Sequence, residues 1–136
     1  MDLTRAIGVA AAGLKAEAGR MRIIAENIAN ADSTSRTPGG EPYRRKVPTL
    51  KASFDDELGA QVVKLGRVGR DQSEFRVKHD PGNPLADAKG DVLLPNVNSL
   101  IEQTDMREAQ RSYEANLNMV GAARRMIART LEILRA

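Results

Sequence analysis

The chain has 136 residues, no cysteine, one histidine and a net charge of +3, which excludes disulfides, thiolate metal sites and multi-histidine centres. Apolar residues make up 41% and aromatics only 3%. With Phe54, Phe75, Tyr43 and Tyr113 as the whole aromatic complement, the composition suits closely packed helices better than a thick globular core. The positive excess is spread evenly, one net charge in each of 1–28, 29–97 and 98–136, whereas a nucleic-acid partner calls for concentrated charge that neutralises phosphates.

The first predicted element is a helix over residues 3–28. Ile7, Leu14, Met21 and Ile28 recur every seven residues, and Ala11, Ala18 and Ala25 fall four residues after the first three of them. This alternating spacing is the seam of a coiled coil, with large residues on one row and alanine on the other. A seam so thin hides little apolar area, so the helix needs partners. Arg5, the apolar run Ala6–Leu14 and the triplet Ala16, Glu17, Ala18 imitate a secretion signal. The heptad pattern runs through the apparent cleavage point, however, and no cleavage is expected. No apolar run approaches the roughly 20 residues of a membrane-spanning helix.

The helix runs into "AENIANADST", where Asn27 and Asn30 interrupt the apolar stripe. Buried among packed helices, their amides would fix the register of neighbours, because a misplaced neighbour would leave them unpaired. The alternative is that Asn27 is solvated while Asn30 or Asp32 ends the helix through local turn bonding.

All six prolines lie between residues 38 and 95, marking loops, turns and short strands. Residues 31–50 read as an extended arm and 51–73 as a flexible segment. "SEFRVKHD" and "GDVLLPN", joined by the turn-rich "PGNPLADAK", read as a β-hairpin. The acidic run "FDDELG", with Asp55, Asp56 and Glu57, reads as solvated rather than as a catalytic carboxylate pair. "GRVGRD" lacks the Gly-Lys-Ser/Thr ending of a phosphate-binding loop, and "DPGNPLADAKGD" lacks the ligand spacing of a calcium loop. No catalytic, cofactor-binding or metal-ligating constellation emerges, and the chain reads as a non-enzyme.

The last predicted element is a helix over about 98–134, capped by Asn98 and about 55 Å long. Met106, Tyr113, Val120, Ile127 and Leu134 are seven apart, with Leu117 and Leu131 in the intervening row. Asn116, in "YEANL", is a second candidate for a register-setting amide. Acidic residues gather in the first half of this helix, and Arg124, Arg125, Arg129 and Arg135 near its end, complementing the helix dipole. These charges either solvate an exposed helix or let oppositely charged ends of neighbouring copies meet.

The expected fold is therefore mainly α. Long N- and C-terminal helices pack as a coiled-coil-like pair, and a central loop and extended segment carries a small β-hairpin. Residues 1–30 and 96–136 form one discontinuous helical domain, and 31–95 a central insert. On these residues alone, a helical self-assembling protein and a helical adaptor or nucleic-acid-binding module are both open.

"AAGLKAEAGRMRIIAENIANADSTSRTPGGEPYRRK", "DPGNPLADAKGDVLLPNVNSLIEQTDM" and "AQRSYEANLNMVGAARRMIARTLEI" resemble the bacterial flagellar basal-body rod proteins, within the rod and hook axial protein family. The resemblance covers residues 11–50 and 80–135, and its most specific feature is the pairing of "ENIANA" with the "PNVN", "DM" and "YEAN" segments near the end. Where the family pattern often has an aromatic after the glycine of "ADAKG", this chain has Asp91. The resemblance implies a subunit of the periplasm-spanning proximal rod, exported by the flagellar type III apparatus without signal-peptide cleavage and polymerised helically. It implies contacts with copies of itself, with other proximal and distal rod proteins, and with basal-body ring and export-apparatus components. No nucleic acid, cofactor or metal is implied. Repeated heterologous contacts that do not close a ring generate such a filament. The residues assigned to subunit interfaces are the two heptad sets above together with Asn27, Asn30 and Asn116. The central loops and hairpin are expected to face outward.

Overall fold

The computed structural model describes residues 2–136. Two long helices, α1 (Leu3–Ala29) and α2 (Ser99–Arg135), bracket six short strands: β1 (Lys46–Val47), β2 (Leu50–Asp55), β3 (Ala60–Leu65), β4 (Gly69–Arg70), β5 (Arg76–His79) and β6 (Asp91–Leu94). The strands form three separate two-stranded antiparallel sheets, β1 with β4, β2 with β3 and β5 with β6.

Both helices begin at side-chain caps that satisfy otherwise orphaned amides. Asp2 Oδ1 accepts from Thr4 N at 3.0 Å and Arg5 N at 3.1 Å. Asn98 Oδ1 accepts from Leu100 N at 3.0 Å and Ile101 N at 3.4 Å, as the sequence predicts. At the end of α1, Asn30 Nδ2 donates back to Glu26 O at 2.8 Å, and Ser33 Oγ donates to Asn30 O at 2.9 Å. Asn30 thus ends the helix by local bonding, the second of the two readings of that residue.

The expected hairpin over "SEFRVKHD" and "GDVLLPN" is β5–β6, with His79 paired to Asp91 and Arg76 to Leu94. Asp91, where the family resemblance leads to an expected aromatic, has its Oδ1 2.9 Å from His79 Nδ1, so a cross-strand polar pair occupies that position. Asp87 Oδ1 accepts from Lys89 N at 2.8 Å and Asp91 N at 3.0 Å. The backbone amides of Asp91 and Lys89 hold its carboxyl below the usual aspartate value.

The expectation of a flexible segment over 51–73 is overturned: most of it is the β2–β3 hairpin, followed by β4. Leu50 to Asp55 pair residue by residue with Leu65 to Ala60. The acidic run is its turn, where Asp55 Oδ1 accepts from the amides of Glu57 and Leu58, both at 3.1 Å, and Gly59 takes the left-handed conformation at φ 60. Apolar residues at both faces of this hairpin obscured its period-two signal, since Val62 is buried while Phe54 and Val63 are exposed.

The chain divides into two compact units. The first comprises 1–21, 49–66 and 107–136. In it the β2–β3 hairpin sets Leu58 against Gly8 and Leu65 against Gly19, where an added Cβ would lie 2.6 Å and 3.0 Å from the leucine methyls. The second comprises 22–48 and 67–106 and contains the end of α1, the arm, sheets β1–β4 and β5–β6, and the start of α2. Within it Arg44 stacks over the Phe75 ring at 4.3 Å.

Candidate functional site: a buried polar latch and uncovered helix stripes

The face of α1 that the chain covers by itself is not the predicted stripe. Ala10, Gly13, Ala16, Glu17, Ile23, Ile24, Asn27 and, just past the helix, Ala31 are buried; with Arg20 included, all but Ala16 and Ile23, which widen the face, repeat with alternating three- and four-residue steps. At about 100° per residue, this row lies roughly 100° around the helix from Ile7, Leu14, Met21 and Ile28. Those four are half-buried, and Ala11, Ala18 and Ala25 are exposed. In α2 the covered row is Glu102, Ala109 and Ala123, with Asn116 half-buried between them. Met106, Tyr113, Val120 and Ile127 flank it half-buried, and Leu117, Leu131 and Leu134 stand exposed.

Within the first unit the helices run antiparallel. Gly13 sits against the Asn116 amide, where a Cβ would lie 2.8 Å from its Nδ2, and Arg20 reaches Glu108 at 3.7 Å. Small residues let the backbones approach this closely. That register exhausts α1 opposite about residue 126, so the last roughly nine residues of α2, about 14 Å, extend past its start. Ile133 and Leu134 there are 75% and 76% exposed. Arg124, Arg125, Arg129 and Arg135 form no ion pair among the described residues, whereas the acidic half of the helix is engaged inside the chain through Glu102, Asp105 and Glu108. Asn116 Nδ2 donates to Ser112 O at 3.0 Å.

The second unit holds a buried polar latch. Asn27 is wholly buried, and all four bonding positions of its amide are used. Its Oδ1 accepts from Tyr43 Oη at 2.7 Å and Lys46 N at 3.0 Å, and its Nδ2 donates to Lys46 O at 2.8 Å and Glu102 Oε2 at 3.0 Å. The amide therefore continues the arm's backbone as a strand would, and ties it to the first turn of α2. Glu102, also wholly buried, receives the Arg45 Nε hydrogen bond on its other oxygen. Arg45 further approaches Asp71 and Asp105, each at 3.6 Å, and its backbone N–H donates to Asn96 Oδ1 at 2.8 Å. Asn96 Nδ2 in turn donates to Asp71 O at 3.0 Å. The structure thus places Asn27 inside its own chain, where it is neither solvated nor facing outward.

Electrostatics follow from this geometry. Burial pulls the Arg45 guanidinium down, but the Glu102 hydrogen bond and the charges of Glu102, Asp71 and Asp105 outweigh it and raise it above the usual arginine value. Asp71 is lowered mainly by the Ser73 backbone amide, which donates to it at 2.9 Å. The Tyr43 phenol is pushed up to about 12, first by burial and then by Glu26 and Glu102. Between about 10 and about 12 the folded chain keeps a proton that the unfolded chain loses, so the latch loses stability as pH rises through that window. The urea midpoint is expected to fall from pH 10 to 12 in the native chain, and to fall less in Tyr43→Phe, which has no phenol to ionise.

Sequence reasoning missed Tyr43, Arg45 and Glu102 because each acts on a residue far away in the chain. The available signal was the position of Asn27 in the row of small residues Ala10 and Gly13. Among the described residues no group of three or more His, Cys, Asp or Glu is placed to hold a metal, and no helix is long and apolar enough to cross a membrane.

Residues 7–36 match the family described as flagella basal body rod protein, and residues 92–133 match the flagellar basal body rod FlgEFG protein C-terminal family. The flagellar basal-body rod protein FlgC of Agrobacterium fabrum is 48% identical over 134 residues, covering 98% of this chain and 96% of its own length. FlgC of Borreliella burgdorferi is 39% identical over 152 residues, covering 98% and 99%, and FlgC of Escherichia coli 35% over 133 residues, covering 98% of each chain.

Proposed function

Because the chain belongs to the FlgC family of flagellar basal-body rod proteins and is a structural subunit of that rod, we propose that its uncovered helix stripes are what join it to its neighbours. In this reading the terminal segments 1–30 and 96–136 build the inner wall of the proximal rod, and 31–95 forms an outward insert. The chain polymerises helically with copies of itself and with other proximal and distal rod proteins, and meets basal-body ring and export-apparatus components at the ends of the segment. It reaches the periplasm through the flagellar type III apparatus without signal-peptide cleavage.

The observation that carries the proposal is the division of labour around the helices. The covered faces are filled mostly by small and polar residues, with Ile23 and Ile24 the large apolar ones, while Ile7, Leu14, Met21 and Ile28 on α1 and Leu117, Leu131 and Leu134 on α2 are left partly or largely open. Burying a leucine or isoleucine fully contributes about 1.5–3 kcal/mol, so a few such contacts per neighbour suffice for a stable joint. The pair Leu131→Glu and Leu134→Glu tests this directly. The double variant is expected to keep the unfolding midpoint of the isolated chain, because both side chains already face solvent, yet to be missing from purified basal bodies and to abolish swimming. Normal incorporation of the double variant would overturn the assignment.

A further inference from the structure

A groove of about 440 Å³ opens in the second unit, lined by Arg22, Ile23, Glu26, Lys46, Val68, Gly69 and Arg70. Three cations and one carboxylate line it. Lys46 is engaged with Glu26 at 2.5 Å, while Arg22 and Arg70 are exposed and make no ion pair among the described residues. Val68, 38% exposed, supplies an apolar wall beside these charges. Two guanidiniums without an ion pair beside an apolar wall suit a ligand that carries carboxylates next to an apolar side chain.

The same chain presents such a ligand. The turn of the β2–β3 hairpin projects Asp56 and Glu57, both exposed, and Asp55 spends one oxygen on capping the turn. Phe54, immediately before them, is 56% exposed. The hairpin pairing and the Gly59 turn make this a preformed knob rather than a loose tail, which lowers the entropic cost of docking. Carboxylates would meet Arg22 and Arg70, and the phenyl ring could lie against Val68 or under a guanidinium.

We propose that the Phe54–Glu57 turn of one copy docks into the Arg22–Arg70 groove of the next, as a lateral contact between subunits in addition to the helix stripes. The inference rests on the rod-subunit reading and specifies one joint within it. A contact between two different patches of the same chain is heterologous, the kind that propagates into an open helix.

The chain has no cysteine, so an introduced pair reports the contact without background. Cells lacking the native copy are made to produce an Arg70→Cys chain and a differently tagged Glu57→Cys chain together, and basal bodies are purified and mildly oxidised. A disulfide-linked dimer carrying both tags, absent when either variant is made alone, is the expected result. Basal bodies that contain both chains but yield no mixed dimer, or in which Arg70→Cys links to a different protein, would overturn the docking and leave the rod assignment intact. Absence of even the unsubstituted chain from basal bodies would overturn both. Charge reversal gives a second reading. Swimming is expected to be lost in Arg22→Glu/Arg70→Glu and in Asp56→Lys/Glu57→Lys, and regained when all four changes are combined. No recovery in the combined variant would contradict the pairing.

Discussion

Replacing Asn27 by leucine is expected to destabilise the isolated chain by about 3–5 kcal/mol, read from the urea midpoint, although the two side chains are similar in size. The reason lies in what remains. Leucine can fill the space, but it leaves the Lys46 N–H and C=O, the Tyr43 hydroxyl and one oxygen of Glu102 without their partner. Stranding a buried polar group costs about 1–3 kcal/mol each, and only the half-buried Tyr43 can turn readily to solvent. Asn27→Asp keeps the size and the acceptor, but removes two donated bonds and places a second carboxylate beside Glu102. It is expected to be at least as damaging at neutral pH. A loss below about 1 kcal/mol for Asn27→Leu would mean that the amide is not the tie between arm and helices.

Glu102→Ala is expected to cost a similar amount, about 3–5 kcal/mol, the range for breaking one side of a buried ion pair. Glu102 is fully enclosed, and its removal leaves Arg45 with only the 3.6 Å approaches to Asp71 and Asp105. The Asn27 Nδ2 loses one of its two acceptors at the same time. Substituting both members, as Arg45→Met with Glu102→Leu, is expected to recover much of the loss, because a well-packed apolar pair can match a buried ionic one. Equal loss in the single and double variants would place the cost in packing rather than in the charge pair.

These variants differ in kind from those on the stripes. The latch acts inside one chain, so its loss is visible in a dilute monomer and precedes any effect on assembly. Leu131 and Leu134 touch solvent in the monomer, so their loss is expected to be silent until subunits meet.

Much of the architecture is legible in the sequence. The two helices follow from seven-residue spacing and, for α2, from the Asn98 cap, and β5–β6 follows from two strand-like runs around a Pro-Gly-rich turn. The covered seam is not legible in the same way. Periodicity reveals every apolar stripe on a helix but does not say which the chain itself covers. In the first unit α1 meets α2 at Gly13 against Asn116, and Ala10, Ala16 and Glu17 of α1 are buried, while Ile7, Leu14, Leu117 and Leu131 lie aside. Glu17, with one buried oxygen lacking a hydrogen-bond partner, is a residue that hydrophobic patterning would never place in a seam. The latch was half legible. An asparagine interrupting a stripe raises the question of its partners, but these come from residues 43–46 and from residue 102, and no local pattern identifies them. The run Asp55–Glu57 reads as solvated acid; Asp56 and Glu57 are exposed, while half-buried Asp55 caps the turn. The turn itself is not legible, because Gly59 and the Asp55 cap take their roles only once the flanking strands are paired.

The most direct test of this division between an internal latch and external stripes is amide hydrogen exchange, on the dilute purified chain and on the chain within basal bodies. In the dilute chain the Lys46 amide, which donates to Asn27, and the first turns of α2 are expected to exchange slowly, whereas residues 127–135 exchange fast; inside the basal body 127–135 become protected. Fast exchange at Lys46 in the dilute chain, or an unchanged fast rate at 127–135 after assembly, would contradict the account.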